Sequence, residues 1–210
     1  KDPTNINIIN HEMDKSLYGH PYVKSPIDMA CWDIIGKYYK APIWQLFGGK
    51  YGESIDLYRA ISQDDAETMK QRVNQYKNEG YLKFQLKVGG HYQEDIERII
   101  QIDSILNDSN TLIADANTGW KTHEALKVIN KTSHLNIYYE QPCATYNDCL
   151  LIRKKNNNPF ILDESIFSLE SFLTAHQDNA MDIVNLKISK LGGLTRTKQL
   201  RDLCVELKIP

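Results

Sequence analysis

The chain lacks several features that would place a protein quickly in a large functional class. No apolar run approaches the ~20 residues that a membrane span requires, and the beginning of the sequence does not carry the charged, apolar and small-residue order of a secretory signal. Lysines and arginines are not clustered with aromatics, and the formal net charge is only −2 over 210 residues. Both facts remove the electrostatic basis for expecting nucleic acid or an anionic membrane surface as a partner. The four cysteines, Cys31, Cys143, Cys149 and Cys204, form no CxxC pair, so reduced thiols in a cytoplasmic protein are expected and a cysteine zinc site is not. The six histidines contain no HExxH spacing, and the paired glycines at 89–90 and 192–193 do not make a dinucleotide fingerprint.

What the chain does have is a ladder. Lys87, Asp115, Glu140, Asp163 and Lys187 follow one another at intervals of 28, 25, 23 and 24 residues. Each stands at the end of a short apolar run, too short for a helix, that leads into a polar turn and a helical pattern. A strand, a turn and a returning helix need roughly 25–30 residues, so the interval is the period of a βα unit. Strands are expected at 55–61, 83–88, 111–115, 136–140, 159–163 and 182–188. Between them, helices are expected at 64–79, 92–106, from Thr122, from Thr145 to 155, at 168–177 and at 195–207. Ile96, Ile99, Ile100 and Ile105 are expected on the inner side of the second of these helices. Residues 1–50 do not follow the rhythm. There Ser25-Pro26 reads as a helix start followed by Ile27, Ala30, Cys31, Ile34, Ile35 and Tyr38 at helical spacing, and a short helix runs from Pro42 to Gly48-Gly49. The fold class expected is α/β, a (β/α) barrel of TIM type truncated to about six strands and preceded by helices. Eight strands close such a barrel, so the 210 residues are expected to be a fragment of a longer protein.

Alternation along a strand puts Asp115 on one face with Ile113 and Asn117, Glu140 with Tyr138, and Asp163 with Ile161 and Ser165. In a parallel barrel the C-terminal strand ends form the active-site face. Three carboxylates converging there repel one another unless a cation lies between them, and an all-oxygen donor set favours Mg²⁺ over zinc. Lys87 comes one strand before the acids and Lys187 one strand after, so amines are expected on both sides of the metal. Lysines of that kind can act as acid and base on a proton beside a carboxylate, provided a cation stabilises the enediolate that forms. Structural salt bridges are the alternative for the two lysines.

The segments Lys83-Phe84-Gln85-Leu86-Lys87-Val88-Gly89, Asp115-Ala116-Asn117-Thr118-Gly119-Trp120, Glu140-Gln141-Pro142, Leu162-Asp163-Glu164 and Asn185-Leu186-Lys187-Ile188-Ser189-Lys190 resemble the muconate-lactonizing and mandelate-racemase-like branch of the enolase superfamily. The resemblance implies that Asp115, Glu140 and Asp163 ligate Mg²⁺ and that Lys87 and Lys187 are the acid/base pair. It also implies that residues 1–50 are the C-terminal helices of a capping domain and 51–210 a partial barrel. One departure stands out: the branch commonly has Lys-x-Lys at the end of the second strand, and here the first position is Gln85, a neutral amide that can still donate to a substrate carboxylate. Gln85, Asn117, Tyr58 and Glu164 are the candidates for substrate contact or support of the site.

Within the branch, Tyr58-Arg59-Ala60-Ile61-Ser62-Gln63, Phe84-Gln85-Leu86-Lys87-Val88-Gly89-Gly90 and Glu140-Gln141-Pro142-Cys143 together look most like enzymes acting on proline derivatives. The reaction so implied is loss of the 3-hydroxyl of cis-3-hydroxy-L-proline after α-proton abstraction. Racemisation or 2-epimerisation of proline or hydroxyproline betaine, dipeptide epimerisation and cycloisomerisation remain open, as does a non-catalytic barrel fragment. The partner expected is a small amino-acid-type substrate, with a homo-oligomer for the full-length protein.

Overall fold

The computed structural model describes residues 1–210. Its elements in chain order are α1 (Ile6–Ser16), α2 (Pro21–Tyr39), α3 (Ile43–Leu46), β1 (Tyr58–Ile61), α4 (Ala66–Asn78), β2 (Lys83–Lys87), α5 (Tyr92–Asp103), β3 (Thr111–Asp115), α6 (Thr122–Thr132), β4 (Ile137–Glu140), α7 (Tyr146–Arg153), β5 (Phe160–Leu162), α8 (Leu169–Gln177), β6 (Ile183–Val184), α9 (Ile188–Leu191) and α10 (Leu194–Leu207). They form two compact units. One comprises Lys1–Ile55, Phe167–Leu169 and Leu186–Pro210; the other comprises Asp56–Ile166 and Glu170–Asn185. No helix is long and apolar enough to cross a membrane.

The larger unit holds the six strands in one sheet, ordered as in the chain, with every neighbouring pair parallel. Its alternation follows the expected phase. Phe84, Leu86, Leu112, Ala114, Ile137 and Tyr139 are buried on one face, and each buried Phe, Leu or Ile side chain among them stabilises the fold by roughly 1.5–3 kcal/mol relative to exposure. The opposite face carries Gln85, Lys87, Ile113, Asp115, Tyr138 and Glu140. Side chains capping helix ends fix where the helices begin: Asp65 accepts from Thr68 N at 2.9 Å, and Thr145 Oγ1 accepts from Asp148 N at 3.1 Å, as expected for α7. Thr122 does not cap α6. Lys121 takes the N-cap position and the Thr122 hydroxyl instead donates to Asp148 Oδ1 at 2.7 Å.

Other boundaries differ from expectation for physical reasons. The first strand begins at Tyr58 instead of 55. The sixth has only two paired residues, against β5, so Lys187 lies beyond it as the N-cap of the one-turn α9. In this sheet β6 pairs with β5 through Ile183 and Val184. The helix expected to start at Ser25-Pro26 begins instead at Pro21, which supplies the proline of the first turn and leaves Pro26 inside α2. The inner sides of two helices also differ. In α2, Lys24, Ser25, Asp28, Cys31 and Ile35 are buried while Ile27, Ile34 and Tyr38 are exposed. In α5, Asp95, Arg98, Ile99 and Ile102 are buried and Ile100 is exposed.

Two turns after the strands meet without room for side chains. A Cβ on Gly89, whose φ is +96°, would stand 2.1 Å from the Ala116 carbonyl oxygen, and one on Gly119 would stand 2.1 Å from the Gly89 oxygen. These glycines therefore serve the close approach of the turns following β2 and β3. Gly89→Ala should destabilise the protein by about 2–4 kcal/mol through overpacking and a left-handed backbone, read as a lower urea midpoint. An unchanged midpoint would mean the turns have room to part.

Candidate active site

The sheet register sets the ladder side by side. Lys87 is paired with Asp115 across β2 and β3, and Asp115 with Glu140 across β3 and β4. The next step is staggered. Glu140 pairs with Ile161, so Asp163 sits two residues higher along β5, on the same face. Leu162 pairs with Val184, which brings Asn185 level with Asp163. All three acids are almost wholly buried, at 1–2% exposure.

Each acid has turned to N–H donors, which offset the cost of burying charge. Lys87 Nζ is bonded to Asp115 Oδ2 and donates to Asn117 Oδ1 at 3.0 Å. The other Asp115 oxygen accepts from Asn117 N at 2.9 Å. Glu140 accepts from Gln85 Nε2 at 2.7 Å and from Asn185 Nδ2 at 2.9 Å. Burial, followed by the Asp115 charge, raises the Glu140 pKa above the usual carboxylate range; the Asn185 and Gln85 amides oppose the shift and the Asp163 charge adds to it.

In this arrangement no group of three or more His, Cys, Asp or Glu side chains is drawn together closely enough to hold a metal ion. The donor set nevertheless suits a hard divalent cation. Asn185 Nδ2 stands 2.9 Å from Glu140 Oε1 and 3.5 Å from Asp163 Oδ2, so one N–H group already bridges two of the acids, and Asp115 is the strand neighbour of Glu140. All ligands would be carboxylate oxygens, the type that Mg²⁺ takes. Coordination requires the acids to exchange these N–H partners for the cation.

Among the remaining expected residues, Gln85 and Asn117 are brought to the acids, and Glu164 reaches them indirectly, its Oε1 accepting from Asn117 Nδ2 at 3.2 Å. Tyr58 is not brought there. It is the first residue of β1, half exposed and paired with Lys83 at the start of β2, so it lies at the opposite end of the strands from the acids. Sequence reasoning assigned it from a motif without reference to strand direction. Lys187 is an exposed residue of the smaller unit.

Sequence reasoning passed over several supporting residues. Gln141, fully buried, directs its Oε1 at the backbone N–H groups of Asp163 (3.1 Å) and Ser165 (3.2 Å) and so fixes the end of β5. Asn185 donates to both Glu140 and Asp163, a role that its place in the sequence motif does not reveal. Asp95 accepts from Gly89 N at 3.0 Å, Trp120 Nε1 at 2.8 Å and Arg98 Nη1 at 2.9 Å, while Arg98 Nε donates to the Asp64 carbonyl at 2.6 Å. One buried ion pair on α5 thus ties together the turns after β1, β2 and β3. Trp120, which is buried, packs in that network. The signal for Asp95 and Arg98 is a polar side chain on the buried side of a helix, which apolar periodicity discounts.

The chain is similar to known proteins in sequence and in fold. A sequence model described as the enolase C-terminal domain-like family matches residues 68–210, and one for the mandelate racemase/muconate lactonizing enzyme N-terminal domain matches residues 1–48. The chain is 50% identical to a cis-3-hydroxy-L-proline dehydratase of Roseibium aggregatum over 210 residues, all of this chain and 57% of that protein. It is 34% identical to an N-succinyl-L-Arg/Lys racemase of Bacillus cereus over 198 residues, 92% of this chain and 54% of that one. A solved enolase superfamily member from Roseovarius nubinhibens, complexed with magnesium, superposes with a TM-score of 0.92 at 36% identity, covering 99% of this chain and 56% of that one. The chain therefore spans a little over half the length of these relatives. Its sequence, its parallel α/β sheet and these matches lead to one conclusion: the chain belongs to the mandelate racemase/muconate lactonizing enzyme branch of the enolase superfamily.

Proposed function

We propose that the full-length protein is a Mg²⁺-dependent hydro-lyase that removes the α-proton and the 3-hydroxyl from cis-3-hydroxy-L-proline. The observation that carries the reading is the lateral pairing of Lys87, Asp115 and Glu140 on adjacent parallel strands, with the Lys87 ammonium on Asp115. Support for the substrate comes from the 50% identity to a dehydratase of that compound. Residues 1–50 are read as the end of a capping domain, 51–210 as a partial barrel, and the complete enzyme as a homo-oligomer.

Asp115, Glu140 and Asp163 would hold the cation, which supplies positive charge against the negative charge that builds up on the substrate carboxylate. Asn117 Oδ1, itself steadied by Glu164, keeps Lys87 Nζ oriented, because an amine donates to a carbonyl oxygen whether or not it carries its third proton. As the neutral amine, Lys87 takes the α-proton, and the C–H electron pair moves into the carboxylate to give an enediolate. That pair then forms the C2–C3 double bond as the C3–O bond breaks, and the hydroxyl leaves as water with a proton from Lys187. The enamine left behind tautomerises to Δ1-pyrroline-2-carboxylate. Gln85 supplies a neutral amide beside the acids. Return of a proton from the second lysine to the opposite face would give racemisation instead, a reading favoured by the identity to the Bacillus cereus racemase.

Two tests follow. Proton NMR of the full-length enzyme with Mg²⁺ and cis-3-hydroxy-L-proline in deuterated buffer should give the cyclic imine, and Lys87→Ala should lower the rate by about 10²–10⁴-fold, the usual contribution of a general base. Exchange without elimination would favour the racemase; no turnover and no exchange with any amino acid would leave only a non-catalytic role. The second test concerns the acids. A carboxyl whose folded pKa is raised contributes stability below the usual carboxylate range and loses it as pH rises through the raised value. Ionised Glu140 therefore weakens the fold near neutrality, and a cation bound to it reverses that effect. Mg²⁺ should raise the thermal midpoint at pH 7, and Glu140→Gln should remove most of the gain; an equal gain in the variant would exclude Glu140 as a ligand.

A further inference from the structure

Within the smaller unit, α2 carries three polar residues, Lys24, Ser25 and Asp28, on its buried side, and all three are engaged with α1 or with the stretch that follows Lys187. Asp28 is wholly buried. Its carboxylate accepts from Thr195 N at 3.1 Å, Thr195 Oγ1 at 2.6 Å and Asn10 Nδ2 at 2.8 Å. Thr195 lies in the first turn of α10, whose own N-cap, Gly193, has no side chain to offer. Asp28 therefore caps α10 from another helix, and its charge faces the positive end of that helix's dipole. Gly193 is the counterpart of this contact: at φ +122° a Cβ there would stand 2.4 Å from Asp28 Oδ2. The glycine makes room for Asp28.

The other contacts fix the same stretch. Ser25 Oγ donates to the Ile188 carbonyl at 3.4 Å, on the residue next to Lys187. Trp32 Nε1 donates to Thr195 Oγ1 at 2.9 Å. Lys24 Nζ meets Asp14 at 2.9 Å, and Arg196 is bonded to the other oxygen of Asp14. Between Ile188 and Thr195 the chain consists of α9 and Gly192-Gly193, and Lys187 is the N-cap of α9. Helix α2 thus grips both ends of the short turn that carries Lys187, which follows the last residue of β6.

We propose that Asp28, assisted by Ser25, is a positioning residue for Lys187: the Asp28–Thr195 cap and the Ser25–Ile188 contact set where the Lys187 amine can reach. This rests on the reading of Lys187 as one of the two acid/base groups. A displacement of about 1 Å in a reacting group can cost on the order of 10²-fold in rate, which gives the scale of the effect.

The test uses full-length enzyme with Mg²⁺ and cis-3-hydroxy-L-proline in deuterated buffer. Two quantities are read: deuterium entering C2 of recovered substrate, and imine formed. Lys187→Ala and Lys87→Ala first establish which quantity each lysine controls. Asp28→Asn should then lower the quantity lost in Lys187→Ala by about 10–100-fold while leaving the one that survives in Lys187→Ala within about threefold of wild type. Ser25→Ala, which removes the hydroxyl that contacts the Ile188 carbonyl and Met29 Sδ, should shift the same quantity in the same direction. Equal depression of both quantities, or no change in either, would overturn the positioning role and leave Asp28 a structural cap. If Lys187→Ala alters neither quantity, the two-lysine reading itself falls, and the inference with it.

Discussion

Three carboxylates buried on three adjacent parallel strands must be offset by donors or by a cation, and much of the site is organised around that requirement. Asp115 is offset by Lys87 and a backbone N–H, and Glu140 by two side-chain amides. Asn185 is shared between Glu140 and Asp163. Within this cluster, burial and the Asp115 charge hold the Glu140 carboxyl above its ordinary range, so its ionised form costs stability. In the function we propose, strand geometry keeps these charges together for a divalent ligand, whose binding would turn their repulsion into attraction.

A second constraint is precision at the strand ends, where the ladder of backbone hydrogen bonds stops. Two acids on helices take over there. Asp95 on α5, paired with Arg98, holds the turns that leave β1, β2 and β3, so the backbone beyond Lys87 and Asp115 is anchored to a buried ion pair. Asp28 on α2 holds the start of α10 and with it the turn behind Lys187. In both places a glycine allows the close approach: Gly89 packs against Ala116, and Gly193 against Asp28. Both lysines of the proposed pair thus lie within a few residues of a turn held by a helix acid.

The βα rhythm, the strand phase and the three acids were legible in the sequence because they depend on local alternation and a regular period. Lys87 and Gln85 were legible for the same reason. What escaped depends on tertiary context. Ser25-Pro26 has the chemistry of a helix start, yet Pro21 performs that role and Ser25 turns its hydroxyl to Ile188. Thr122 has the chemistry of a cap but bonds Asp148. Ile27, Ile34, Tyr38 and Ile100 fit an apolar stripe, yet the buried sides of α2 and α5 carry Asp28, Asp95 and Arg98, whose burial depends on partners far away in the chain. Tyr58 was misplaced because a motif does not reveal which end of a strand a residue occupies. The upward step from Glu140 to Asp163 is a matter of register, which spacing does not encode.

The central claim is that Asp115, Glu140 and Asp163 together bind one divalent cation, displacing the N–H donors that now occupy their oxygens. Crystals of the full-length protein grown with Mn²⁺ in place of Mg²⁺ test this directly by anomalous scattering. The account predicts a single strong peak coordinated by one oxygen from each of the three carboxylates, with the Lys87 amine no longer on the Asp115 oxygen that faces the metal. A peak bound by fewer than three of these acids, or none while Lys87 remains on Asp115, would contradict it.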